Sequence, residues 1–186
     1  MNSGMDPAGG ILTIAGTFLQ SQACRDALGG TFRFERLGPE HTDAILRWRN
    51  DNAVVGSFRT AAGLTRDEHE RFLADYESKC RVDLVLVDDT TNTPVGVFYL
   101  TGLGTRRPEI GKYVGEMQYR GRGIARRATR ALIAFAFEWL GLHELYAVTR
   151  VDNERNILLN EALGFLRCST ETHEGREFLV MKLTRA

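Results

Sequence analysis

The chain has few cysteines, no long apolar run and no excess of either charge. Its three cysteines, Cys24, Cys80 and Cys168, are far apart, form no CxxC pair and are odd in number. That argues against a disulfide framework and makes a reducing, cytoplasmic setting the expectation. His41, His69, His143 and His173 make no metal-ligand spacing with them, so no metal is expected. Residues 11–19, the longest apolar candidate, are interrupted by two threonines and a glycine. They fall far short of the roughly 20 residues that span a bilayer, and the segment before them carries only Asp6, where an export signal needs positive charge. Neither a membrane partner nor export is expected. Lys and Arg total 24 against 24 Asp and Glu, a formal charge of zero. General nucleic-acid binders rely on a global attraction that this balance removes, so no nucleic-acid partner is expected and any basic site is local.

What is present is globular: 43% hydrophobic and 26% charged over 186 residues, enough chain to bury about two-thirds of its unfolded surface. Residues 1–30 hold six glycines and only three charges, Asp6, Arg25 and Asp26. They read as an N-terminal appendage, its first residues compatible with a cloning scar or a start at Met5, before a domain over residues 31–186. Residues 31–37 alternate as a strand closed by Gly38-Pro39. A helix capped at Thr42 carries Ile45, Leu46 and Trp48 to an end near Asn50-Asp51-Asn52. Thr65-Arg66-Asp67-Glu68 is a capping box opening a helix with Phe72, Leu73 and Tyr76 on one side. Residues 82–87 and 95–100 form an antiparallel hairpin, and 110–114 a further strand. Ile124, Ala128, Leu132, Phe135 and Trp139 then recur at helical spacing. A strand (144–151), a helix (153–163) stopped by Gly164, and a strand pair (165–172, 178–184) close the chain. The class is mixed α/β.

The strand at 110–114 runs into Val114-Gly115-Glu116-Met117-Gln118-Tyr119-Arg120-Gly121-Arg122-Gly123-Ile124-Ala125, a glycine-rich turn before a helix. Such a turn offers unpaired N–H groups and the positive end of a helix dipole to an anion. Neither a Walker A pattern nor a dinucleotide fingerprint is present. Arg122, Arg126 and Arg130 lie at i, i+4, i+8, which is either a solvated charged face or a phosphate-binding row.

Arg120-Gly121-Arg122-Gly123-Ile124-Ala125 resembles the (Q/R)-x-x-G-x-(G/A) signature of the GNAT superfamily of N-acetyltransferases. Thirty residues on, the stretch from Asn153 through Leu163-Gly164-Phe165 is similar to that family's second block. The resemblance implies a centrally splayed, mostly antiparallel sheet flanked by helices, with acetyl-CoA as co-substrate. Its pyrophosphate would rest on the N–H groups of Gly121, Arg122, Gly123, Ile124, Ala125 and Arg126, near Arg120. Val114 or its neighbour Gly115 would hold the oxyanion. Asn153 would reach the pantetheine arm, unless it only caps its helix.

Acetyl transfer to an amine needs a base, an oxyanion donor and a proton for the departing thiolate. By the same resemblance Glu109, at the start of the strand before the turn, is the base, with Glu116 in reserve. Family members often place a tyrosine seven residues after the leading asparagine, and this chain has Asn160 there. A carboxamide cannot protonate a thiolate. Tyr119 and Tyr146 are alternative donors. The Trp48-Arg49-Asn50 element is similar to the branch acetylating ribosomal-protein N-termini and nucleotide-linked aminosugars, and its three residues are the expected amine-site contacts, although an amphipathic helix with Trp48 in the core explains them equally. Polyamines are a third class, for which Asp67, Glu68 and Glu70 would supply the charge. The expected partners are a small-molecule amine or a protein N-terminus, with a homodimer as the assembly to test. A module that binds acyl-CoA without turnover, acting as a sensor, is the competing reading.

Overall fold

The computed structural model describes residues 7–51 and 63–185, with the side chains of 7 and 8 left aside. The expected helix end at Asn52 and alternative start at Met5 lie outside the described residues. The elements are α1 (Pro7–Gln20), α2 (Gln22–Leu28), β1 (Phe32–Arg36), α3 (Thr42–Arg49), α4 (Arg66–Ala74), β2 (Val82–Asp88), β3 (Thr93–Thr101), β4 (Glu109–Val114), α5 (Ile124–Ala134), β5 (Glu144–Arg150), α6 (Glu154–Glu161), β6 (Leu166–His173) and β7 (Arg176–Thr184).

The seven strands form one sheet in the order β1-β2-β3-β4-β5-β7-β6. Every neighbouring pair is antiparallel except β4 and β5. That parallel pair is registered at Glu109 and Tyr146 alone, where the Tyr146 amide donates to the Pro108 carbonyl at 2.9 Å. The strands meet there and diverge, leaving a wedge at the centre of the sheet. The splayed, mostly antiparallel sheet expected from the resemblance is thus present.

Cores on both faces fix the wedge. Leu84, Leu86, Phe98, Leu100 and Ile110 point into the larger core, with α5 contributing Ile124, Ala128 and Leu132 and α6 Ile157. The alternate residues Val85, Val87 and Val97 face a smaller core closed by Ala44, Ile45 and Trp48 of α3. Residues 82–87 are therefore all buried, and β2 is apolar from Leu84 to Val87 because helices cover both sides, with Asp83 its one buried charge. Thr65 caps α4 through the reciprocal box with Glu68. Thr42 is the first residue of α3, whose cap position is His41. The helical run to Trp139 is α only to Ala134, and its last turn, Phe135–Trp139, is π-type.

The reading of residues 1–30 as an appendage is corrected by α1 and α2. Ala15, Phe18, Cys24 and Leu28 are buried in the larger core. Phe18 meets Phe135 with ring centroids 4.7 Å apart, and Trp139 at 5.6 Å.

Candidate functional site

The wedge is lined by groups that the sheet cannot pair. Gly115 and Glu116 donate their amides to the Val95 carbonyl of β3 at 2.9 and 3.1 Å. Successive residues of a strand turn their N–H and C=O to opposite sides, so Val114 and Lys112 turn theirs toward β5, which has already diverged. The Val114 carbonyl accepts Arg120 Nε at 3.0 Å, and the Gly115 carbonyl accepts an Arg120 terminal nitrogen at 3.0 Å. Arg120, expected near the cofactor, stitches the turn to the end of β4.

Beyond the turn, Gly123 caps α5 at φ +75°, a left-handed conformation that glycine adopts without strain, and it has open space where a Cβ would be. The first helical backbone bond runs from Arg127 N to Gly123 O at 3.2 Å. The amides of Ile124, Ala125 and Arg126 precede it and have no backbone acceptor among the described residues, the arrangement that binds a phosphate. Arg122, Arg126 and Arg130 are exposed around this start. Arg155 of α6 reaches the same turn, its guanidinium 3.7 Å from where a Cβ would begin at Gly121. Gly121, Gly123 and the cations around them suit the pyrophosphate of a CoA-type ligand.

Glu109 sits at the floor of the wedge, its carboxylate 3.4 Å from Arg107 Nε and 21% exposed. It borders a cavity of about 430 Å³ that also takes in Arg49, His69, Asp83, Tyr99 and Tyr113. Asp83 is buried, held by Arg81 through Nε and one terminal nitrogen, each at 2.6 Å, and by Tyr76 Oη at 3.1 Å. The Tyr113 phenol is pushed up by burial and stays protonated. His69 is buried, its Nε2 without a hydrogen-bond partner among the described residues, and burial pushes its pKa down, so the ring is neutral near pH 7. A larger hollow of about 560 Å³ between Pro39 and α4 touches neither Glu109 nor the turn.

Other expected contacts have structural work here. Glu116 accepts Trp48 Nε1 at 3.1 Å and is paired with Arg47, so it anchors the turn to α3. Trp48 is 2% exposed, the core position given as the alternative to a substrate contact. Asn50 spends its carboxamide on Leu46 O and on Leu64 N and O, all at 2.9 Å, holding the residues that lead into α4. Asn153 caps α6 by accepting Asn156 N at 3.2 Å, the alternative role foreseen for it. Of the two tyrosines named as alternative donors, Tyr119 Oη donates to Asp88 at 2.9 Å and Tyr146 Oη to Glu144 at 3.0 Å. Phe165 is core.

A family model described as an acetyltransferase (GNAT) domain matches residues 32–166. The chain belongs to the GNAT acetyltransferases. A putative ribosomal N-acetyltransferase of Bacillus subtilis is 38% identical over 61 residues, 33% of each chain. An uncharacterised protein of Methanocaldococcus jannaschii is 27% identical over 139 residues, 73% of this chain and 27% of that one. The chain thus spans about a quarter to a third of these two relatives. Among solved structures, spermidine N-acetyltransferase from Vibrio cholerae, in complex with CoA and spermine, superposes with a TM-score of 0.75 at 17% identity, covering 84% of this chain and 96% of that one. The ribosomal-protein-S5-alanine acetyltransferase of Vibrio fischeri gives 0.70 at 18%, covering 83% and 93%. At such identities the superpositions establish the fold.

Sequence reasoning passed over Lys112 and gave Arg155 no role of its own. Arg155 lay inside the second motif. Lys112 carried no local signal, because β4 brings it to the site from a stretch that reads as ordinary strand.

Proposed function

We propose that this GNAT domain is an acetyl-CoA-dependent N-acetyltransferase acting on a primary amine of a small molecule or on a protein N-terminus. The observation that carries the reading is the β4–β5 wedge, which ends in a turn whose three leading helical amides have no backbone acceptor among the described residues. The V. cholerae neighbour's complex with CoA agrees with that use of the fold.

In this reading the anionic end of acetyl-CoA rests on the amides of Ile124, Ala125 and Arg126, and the acyl arm runs down the wedge. The Val114 amide, turned toward β5, donates to the developing oxyanion. Glu109 takes the amine's proton, directly or through one water, from a substrate entering by the 430 Å³ cavity. Arg49 on its wall is the remaining contact from the Trp48-Arg49-Asn50 element, and its fixed positive charge favours an amine that also carries an anionic group. Glu116 is not needed as a base.

Thermal unfolding with added ligand tests the reading. A ligand that binds only the folded state raises Tm, so CoA and acetyl-CoA should each raise it and duplex DNA should not. No shift at millimolar CoA would overturn the proposal.

A further inference from the structure

Lys112 is the cation that the proposed reaction has not used. It lies on β4 between Glu109 and the glycine turn, and its side chain crosses from β4 to α6, where Nζ donates to Asn160 Oδ1 at 2.6 Å. Asn160 is fully buried, and its Nδ2 is occupied by Met181 Sδ at 3.7 Å. Lys112 forms no ion pair with a carboxylate among the described residues. A carboxamide oxygen orients an ammonium without neutralising it. An ammonium so placed is costly unless an anion arrives to compensate it. The Val114 and Lys112 amides open on the same side, so a thioester reaching inward from the turn meets Lys112 before Glu109.

We propose that Lys112 is the acid of the reaction, giving its proton to the CoA sulfur as the thiolate leaves, with Asn160 as the residue that positions it. The inference rests on the acetyl-CoA reading above. As the new C–N bond forms, the oxygen takes up charge. When the carbonyl re-forms, the C–S bond breaks, sulfur leaves with the electron pair, and an S–H bond forms at the expense of an N–H of Lys112. Two protons leave the substrate nitrogen: one goes to solvent through Glu109, and one restores the Lys112 ammonium. Burial pushes the Lys112 pKa down to about 8, close to that of a thiol, so transfer between them is nearly balanced. The same balance explains how a chain with asparagine in place of the family's tyrosine retains a donor: the proton comes from across the wedge, and α6 supplies only the orienting oxygen.

The test compares CoA with desulfo-CoA by calorimetry on the full chain, which needs no knowledge of the amine. An ammonium facing sulfur makes wild type prefer CoA by about tenfold, the value of a hydrogen bond to a charged group. Lys112→Met should bind both equally, and Lys112→Arg should keep the preference. Turnover with an amine panel at saturating acetyl-CoA should fall by about 100-fold in both variants, since a guanidinium does not release a proton, with KM for acetyl-CoA nearly unchanged in Lys112→Arg. Equal binding of the two ligands by wild type would overturn the role of Lys112 and leave the acetyl-CoA reading standing, as would full turnover in Lys112→Arg. Failure of both ligands to bind wild type would overturn that reading, and this inference with it.

Discussion

Gly115 lies against the face of Trp48: a Cβ added there would fall 2.1 Å from indole Cδ2. The absence of a side chain lets the end of β4 and the C-terminal part of α3 come together, and it allows Trp48 Nε1 to hold Glu116 at 3.1 Å. Gly115→Ala should therefore destabilise the protein by about 1–3 kcal/mol, as overpacking in a fixed core does, and weaken CoA binding by displacing the turn. Chemical denaturation and calorimetry read the two effects. A variant with unchanged midpoint and CoA affinity would show that the contact positions nothing.

Phe18 is 2% exposed and packs on Phe135 and Trp139. Phe18→Ala should cost about 3–5 kcal/mol, the range for a buried phenylalanine. Removing residues 1–28 should leave a protein that aggregates or melts far below the full chain. A truncated chain with the full chain's Tm would restore the appendage reading.

His69 supplies a pH test. Its folded-state pKa is depressed by burial, with a smaller push from Arg66, while Glu70 and Asp83 act against the shift. The unfolded chain therefore takes up the proton first, so the stability His69 contributes is present above about pH 6.5 and is lost as pH falls through that value toward the folded pKa. Tm should fall between pH 7.5 and pH 5.5 by more in wild type than in His69→Gln. Equal falls would mean that the ring is not desolvated.

Gly123→Trp should abolish CoA binding with a modest loss of stability. The Cβ meets open space, so the indole projects where the ligand's pyrophosphate is expected, and the positive φ adds strain. Retained CoA affinity in a folded Gly123→Trp protein would remove the turn from the site.

The order of elements along the chain and the glycine turn were legible from local signals, among them alternation in β1, glycines at 121 and 123, and a helical period from Ile124, whereas the splayed sheet came only from the family resemblance. The two N-terminal helices were not, because their glycines and low charge look like a linker, and only Phe135 and Trp139, more than a hundred residues away, explain the burial of Phe18. At the site, the place of Glu109 at the start of β4 could be anticipated, because the strand has a local signal. Trp48, Glu116 and Arg120, read from sequence as an amine contact or core residue, a reserve base and a cofactor contact, are bonded to the turn and its support, since a residue that supports a site can sit beside it in the chain. Lys112 gave no signal, because its partner Asn160 is 48 residues away.

The central claim is tested most directly by release of CoA thiol from acetyl-CoA in the presence of an amine panel of polyamines, aminosugars and short peptides, comparing wild type with Glu109→Gln at pH 6 to 9. An alkylammonium with a pKa near that of lysine, about 10.4, is almost wholly protonated at neutral pH, so a positioned carboxylate should contribute roughly 100- to 10,000-fold. Wild type should release thiol with at least one amine. Glu109→Gln should lose that order of rate at pH 7, recover part of it as pH rises, and keep its acetyl-CoA affinity. No thiol release above the uncatalysed rate with any amine, from folded protein that binds CoA, would contradict the account and make the chain an acyl-CoA-binding module.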